Sequence, residues 1–252
     1  MPTPNADPAN ENKIKADPSK AFFIEMLIRD ISLDECILDL TDNSVHNLIR
    51  ESNLDVMQTL LGKSPAAKRL DANIAIATSA KEFRIEDTCG GITIDDARED
   101  VFLFGKSKRE TAHTGLGVYG IGMKRAFFKL GRNITVESRT DTEEFRVDID
   151  VDEWESRPDD WSLSFAYARK RDKNGRQPGT TITVRDLNTS VKTYFDNISF
   201  QNELTRRLAS TYALFLKAGL TLSINGNIVK PRLPELLTSG DLKPVRNLFR
   251  AG

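Results

Sequence analysis

Two cysteines, two histidines and no apolar run near the roughly 18 residues of a membrane-spanning helix narrow the reading of this 252-residue sequence before any motif is sought. Cys36 and Cys89 are too few for a disulfide framework, and such sparse use suits a reducing compartment, expected to be the cytoplasm. Excess charge of one sign is also lacking. The 36 Lys plus Arg nearly balance 37 Asp plus Glu, so net charge does not indicate nucleic acid, and only a local basic patch would serve. Two such patches exist, at Lys106, Lys108 and Arg109 and at residues 169–173, and both also suit solvated loops. There is no internal repeat. Residues 1–18 are polar and Pro-rich, with no apolar stretch for a signal peptide, and are expected to form a disordered arm.

What is present is a globular composition, 39% hydrophobic and 29% charged, in a chain long enough to build one large core without staples. Asp17-Pro18-Ser19 signals a helix start before an apolar stretch. A second helix is predicted from near Ser32 through Arg50, from the spacing of Leu33, Ile37, Leu40, Val45 and Leu48. Residues 54–61 suggest a further helical turn or two. Residues 73–78 and 82–86 read as a strand hairpin, and Thr93 as the cap of a short helix. Residues 105–120 read as a loop and 121–130 as a helix. Strands are predicted at 134–139, 144–151, 161–168 and 180–186, a long amphipathic helix at 200–217, and a hairpin turning at Asn225-Gly226. This order lacks the strand–helix alternation of a parallel doubly wound sheet. It predicts an α+β fold: a two-layer sandwich with a mixed, mainly antiparallel sheet covered by helices on one face.

Four features carry chemistry. Asp39 and Asn43 lie four residues apart in the second helix, so both project from one face. A carboxylate beside a carboxamide can position a water and hold Mg²⁺, which takes few protein ligands; the same spacing suits a solvated helix face. Asp87, ending a strand before Cys89-Gly90-Gly91-Ile92, can accept a hydrogen bond from an exocyclic amine, and Gly91 lets a flat ring approach the backbone; a simple turn has the same pattern. Gly115, Gly117, Gly120 and Gly122 precede an apolar helix and, with Lys124, suit an anion; a flexible connector is the alternative. Thr180, opening a strand, can hydrogen-bond a base, or simply reflect the strand propensity of threonine.

Gly115-x-Gly117-x-x-Gly120 also matches a dinucleotide fingerprint, with Glu137 about 20 residues on. That fingerprint opens after an apolar strand, whereas KSKRETAHT precedes it here. A Walker A motif fails because neither Ser nor Thr follows Lys124.

Taken in order, the four features resemble the GHKL ATPase superfamily of gyrase B, the ninety-kilodalton heat-shock chaperone, histidine kinases and MutL, closest to its MORC-like and stand-alone bacterial members. The resemblance runs from Phe22 to Val184, and more loosely to Val229. It implies a Bergerat-type ATP-binding fold, with a core at 19–190 and a helix–hairpin extension at 191–252 that begins a further domain. By resemblance, Asn43 binds Mg²⁺, Asp87 reads the adenine amino group, and Gly91 with Ile92 lies by the base. Gly117, Val118, Gly120, Ile121, Gly122, Met123 and Lys124 grip the phosphates, Thr180 lies near adenine, and 105–115 forms a lid. Asp39 stands where hydrolysing members carry Glu and is the candidate catalytic base. Cys89 stands where many members have Gly, and Ser44 where many have Ala. The resemblance implies ATP and Mg²⁺ as cofactors, slow hydrolysis, an ATP-dependent homodimer, and a further protein partner or domain. The alternatives are an ATP-binding regulator without hydrolysis and a protein kinase of the histidine-kinase or anti-sigma type.

Overall fold

The computed structural model describes residues 18–52, 70–104, 121–171 and 175–233. The expectations for 54–61 and for the loop at 105–120 lie outside these residues, as do Gly117, Val118 and Gly120. Among the described residues no helix is long and apolar enough to cross a membrane.

The first described helix is α1 (Lys20–Ile28), capped by Ser19, whose hydroxyl accepts from the Phe22 amide. Helix α2 (Leu33–Ser52) follows. Ser32 and Glu35 form a reciprocal capping box, each side chain accepting the other's amide N–H at 3.4 and 3.0 Å. Next come β1 (Asn73–Thr78), β2 (Glu82–Asp87), the short α3 (Ile94–Asp96) and a π-type turn at Ala97–Val101. Helix α4 (Gly122–Leu130) runs into β3 (Gly131–Arg139), followed by β4 (Glu143–Asp150), α5 (Val151–Ser156), β5 (Phe165–Lys170) and β6 (Gly179–Leu187). The described chain continues through α6 (Thr189–Phe195), α7 (Ile198–Thr211), α8 (Ala213–Ala218), β7 (Thr221–Ile224) and β8 (Asn227–Ile228).

The eight strands form one sheet in the order β5-β4-β3-β6-β2-β1-β7-β8. Every neighbour pair is antiparallel except β1 with β7, so the α+β expectation holds. The hairpin β7–β8 extends that same sheet, and Asn225 and Gly226 take the left-handed conformation that a two-residue turn requires.

Register puts one face of the sheet inward. Ile76, Phe83, Ile85, Ile134, Val136, Phe145, Val147, Ile182 and Val184 are all buried under the helices. The opposite face carries arginines interleaved with carboxylates, including Arg84 with Glu86, Arg146 with Glu137 and Asp148, and Arg185 with Glu82. Each pair contributes little to stability, but the alternation keeps this face polar.

An aromatic cluster joins α1 to the rest. Phe104 contacts Phe23, Phe128, Trp154 and Trp161 at centroid distances of 5.2 to 6.1 Å. Beneath it the buried Lys20 ammonium donates to the carbonyls of Trp154, Arg157 and Asp160 at 2.7, 2.7 and 2.5 Å, and lies 4.1 Å from the Trp154 ring centre. Burial, and then the neighbouring Arg157, hold its pKa below the usual lysine value.

Four element expectations are corrected. The strand expected at 161–168 lies at Phe165–Lys170, because Trp161 packs into the aromatic cluster. The strand expected to reach Val151 ends at Asp150, whose carboxylate accepts the Glu153 amide and starts α5. Helix α6 was not expected, and its preceding Asn188 caps α4 instead, donating to the Phe128 and Lys129 carbonyls. The long helix expected at 200–217 breaks at Tyr212, whose ring turns inward.

Phe83 is fully buried at the centre of the inner face and stacks on Phe195. Phe83→Ala is expected to cost about 3–5 kcal/mol of unfolding free energy, read as a lowered urea midpoint.

Candidate functional site

The inner face is apolar along the central strands until one end, where it turns polar. On β3 the inward residues run Ile134, Val136, Ser138; on β6, Val184, Ile182, Thr180; on β2, Phe83, Ile85, Asp87. Ser138 and Thr180 are register partners, and their hydroxyls lie 3.0 Å apart.

Asp87 is the charged member of this layer and only 4% exposed. Its Oδ1 accepts the amides of Cys89 at 2.9 Å and Thr180 at 3.2 Å, and its Oδ2 accepts the Ser44 hydroxyl at 2.8 Å. Burial raises its pKa above the usual aspartate value, against those three hydrogen bonds, which favour the charged form. The oxygen bonded to Ser44 retains a lone pair, so the group can accept one more donor.

The turn after Asp87 is built for close approach. Gly91 has φ +77°, and a Cβ there would lie 2.1 Å from the Arg139 carbonyl oxygen, so no side chain fits. The Ile92 amide donates to Ser138 Oγ at 2.7 Å, closing the turn onto β3. The Cys89 thiol is buried, and burial pushes its pKa up. Cys36 behaves likewise, pushed up to about 12, so neither thiol is reactive at neutral pH.

Helix α2 crosses this end. Ser44 meets Asp87, Asn43 is exposed, and Asp39 is part-buried one turn earlier. Asp39 Oδ2 accepts from Arg125 Nε at 3.1 Å and Nη2 at 2.9 Å. A Cβ on Gly122, the first residue of α4, would lie 3.2 Å from that same oxygen. The carboxylate therefore sits against a helix N-terminus, where backbone N–H groups lack intrahelical acceptors. Ile121 and Gly122 are partly exposed there, while Met123 and Lys124 are buried. Asp42 turns the other way and accepts the Tyr212 hydroxyl at 2.7 Å. Burial is the main cause raising the pKa of both partners. His46 is half-buried, and burial followed by Arg50 lowers its pKa.

The structure thus brings Asp87, Gly91, Ile92 and Thr180 together at one strand end. It places Ser44, beside Asn43, on Asp87, and Asp39 on the start of α4. Sequence reasoning missed Arg125, Ser138 and Tyr212. Ser138 alone had a visible signal, a hydroxyl closing the apolar alternation Ile134, Val136 as Thr180 does on its own strand.

A family model described as "Histidine kinase-, DNA gyrase B-, and HSP90-like ATPase" matches residues 31–180, more than half of the chain. The chain belongs to this family. No curated protein matches it. As a GHKL-type chain it carries an ATP-binding domain, and the matched span includes all four sequence features from Asp39 to Thr180.

The residues present suit a purine nucleotide with a hard cation. A buried carboxylate faces a turn that a Cβ would close, and a helix N-terminus lies against a second carboxylate. Among the described residues no group of three His, Cys, Asp or Glu could hold a metal ion. Magnesium satisfied largely by phosphate and water, with one protein oxygen such as that of Asn43, needs no such group.

Because burial raises the Asp87 pKa, the folded state holds that proton more tightly than the unfolded chain does. Its contribution is therefore fully present below the ordinary value of 3.8 and is lost as pH rises to the elevated folded value. The stability of wild type relative to Asp87→Asn should accordingly fall as pH rises across that window. Paired urea unfolding curves at stepped pH check this, and a difference that rises with pH contradicts it.

Proposed function

We propose that this chain binds ATP with Mg²⁺ and hydrolyses it slowly, and that the nucleotide controls its conformation and self-association. The observation that carries the reading is Asp87: a buried carboxylate with a spare lone pair, set beside a glycine turn that excludes side chains. That combination suits a flat base bearing an exocyclic amine.

In this reading Asp87 accepts the adenine amino group, Gly91 and Ile92 leave room for the ring, and Thr180 holds Asp87 from behind through its amide. The amides of Gly117, Val118, Gly120, Ile121, Gly122, Met123 and Lys124 take the phosphates, aided by the dipole of the nine-residue α4. Asn43 holds the cation. Bound magnesium triphosphate supplies the electrophilic phosphoryl group and the charge neutralisation that its transfer needs. Asp39 orients the attacking water and receives its proton. A change in the segment over the phosphates would alter the surface offered to a second copy or another protein partner, which makes the nucleotide a switch.

A second reading, ATP binding without hydrolysis, is favoured by one observation. Asp39 Oδ2 is engaged by two N–H donors and is not available to take a proton. Phosphate release compared between wild type and Asp39→Ala separates the two readings, since two rates that both equal background leave the binding-only protein.

Guanine presents a carbonyl oxygen where adenine presents an amine, so two acceptors would face each other at Asp87. Calorimetry with magnesium-loaded nonhydrolysable analogues should therefore find the adenine nucleotide bound at least about 100-fold more tightly than the guanine one. Asp87→Ala should abolish that preference. No heat with either nucleotide, or equal affinities, would falsify the assignment of this pocket.

A further inference from the structure

Arg125 lies on α4 three residues past Gly122, and its guanidinium reaches across to α2. Both of its hydrogen bonds end on one oxygen, Asp39 Oδ2, from Nε at 3.1 Å and Nη2 at 2.9 Å. Among the described residues Oδ1 of the same carboxylate accepts no hydrogen bond.

We propose that Arg125 is the positioning residue for Asp39, pinning Oδ2 so that Oδ1 is the oxygen presented to the attacking water. This rests on the reading of Asp39 as the base. The physical argument is torsional. An aspartate carboxylate turns about two bonds, and its last torsion is broad and weakly restrained. Two donors from one planar guanidinium converging on one oxygen fix that torsion, because the fork is rigid and its donors move together. The same oxygen lies close to the start of α4, where even a methyl group on Gly122 would crowd it at 3.2 Å. The carboxylate is thus held between the first turn of α4 and a side chain from the same helix, so one rigid element sets its place relative to both.

This arrangement also removes the objection to hydrolysis. The engaged oxygen is the anchor, and the proton goes to the other one. The two side chains of the pair are 38% and 25% exposed, so it does little for stability, and its loss should leave the fold intact.

The test is a double-mutant cycle on purified protein. Phosphate release, affinity for a nonhydrolysable ATP analogue by calorimetry, and circular dichroism are measured for wild type, Arg125→Ala, Arg125→Lys, Asp39→Ala and the double Ala variant. Arg125→Ala should lower kcat by about 10- to 100-fold, the loss expected of a base misplaced by near 1 Å, with a smaller change in affinity. Arg125→Lys should recover part of kcat, since it restores the charge without the fork. In the Asp39→Ala background, removing Arg125 should change kcat by less than about 2-fold, because residues acting as a unit are not additive. An unchanged or raised kcat in Arg125→Ala overturns the proposal, as does a full additional loss in the double variant. If Asp39→Ala instead hydrolyses at the wild-type rate, the reading of Asp39 as base fails first and the proposal falls with it.

Discussion

A carboxylate buried to 4% exposure at the end of a central strand is a costly thing to build, and most of the site is arranged to make it tolerable. Asp87 needs hydrogen bonds from several directions, since an unpaired charge in that setting would cost several kcal/mol. The three it receives come from three elements: the turn that follows it, the start of β6, and helix α2 through Ser44. Each of those elements is thereby fixed relative to the others. The turn bends back through Gly91 onto β3, β6 is brought so close that a Cβ on Gly179 would lie 1.9 Å from the Asp87 carbonyl, and α2 is set with Ser44 against the strand end.

The second fixed reference is the α2–α4 contact. Gly122 allows α4 to begin directly against Asp39, and Arg125 returns from the next turn to hold the same side chain. The Asp87 strand end and the start of α4 are thus both referred to α2, through Ser44 at one end and Asp39 at the other. A helix of 20 residues with a capping box is stiff enough to carry that relation.

Much of this was legible in the sequence. The start of α2 near Ser32, the β1–β2 hairpin and the Asn225-Gly226 turn are local signals, and the structure has them where the residues put them. The polar strand end was legible only in part: Asp87 and Thr180 stood out by residue type, but their meeting depends on a register between strands 93 residues apart. Arg125 was not legible at all. Its partner lies 86 residues earlier, and on its own helix it reads as one more surface cation. The failures in the fold have the same origin. Trp161 alternates with Leu163 and Phe165 as a strand would, yet packs with other aromatics, and residues 200–217 keep helical spacing across a break made by the long-range bond from Tyr212 to Asp42. Periodicity reports which side of a segment is buried, and it is silent on which distant group claims a particular side chain.

The aromatic cluster has an optical consequence. Both indoles of the chain, Trp154 and Trp161, lie 5.3 Å apart and both touch Phe104, the last described residue before 105–120. The tryptophan emission of the whole protein therefore originates from a single corner, with a buried ammonium 4.1 Å from one ring. A small shift of residue 104 alters the surroundings of every fluorophore of that kind at once, so the native colour and yield report on that corner without any label.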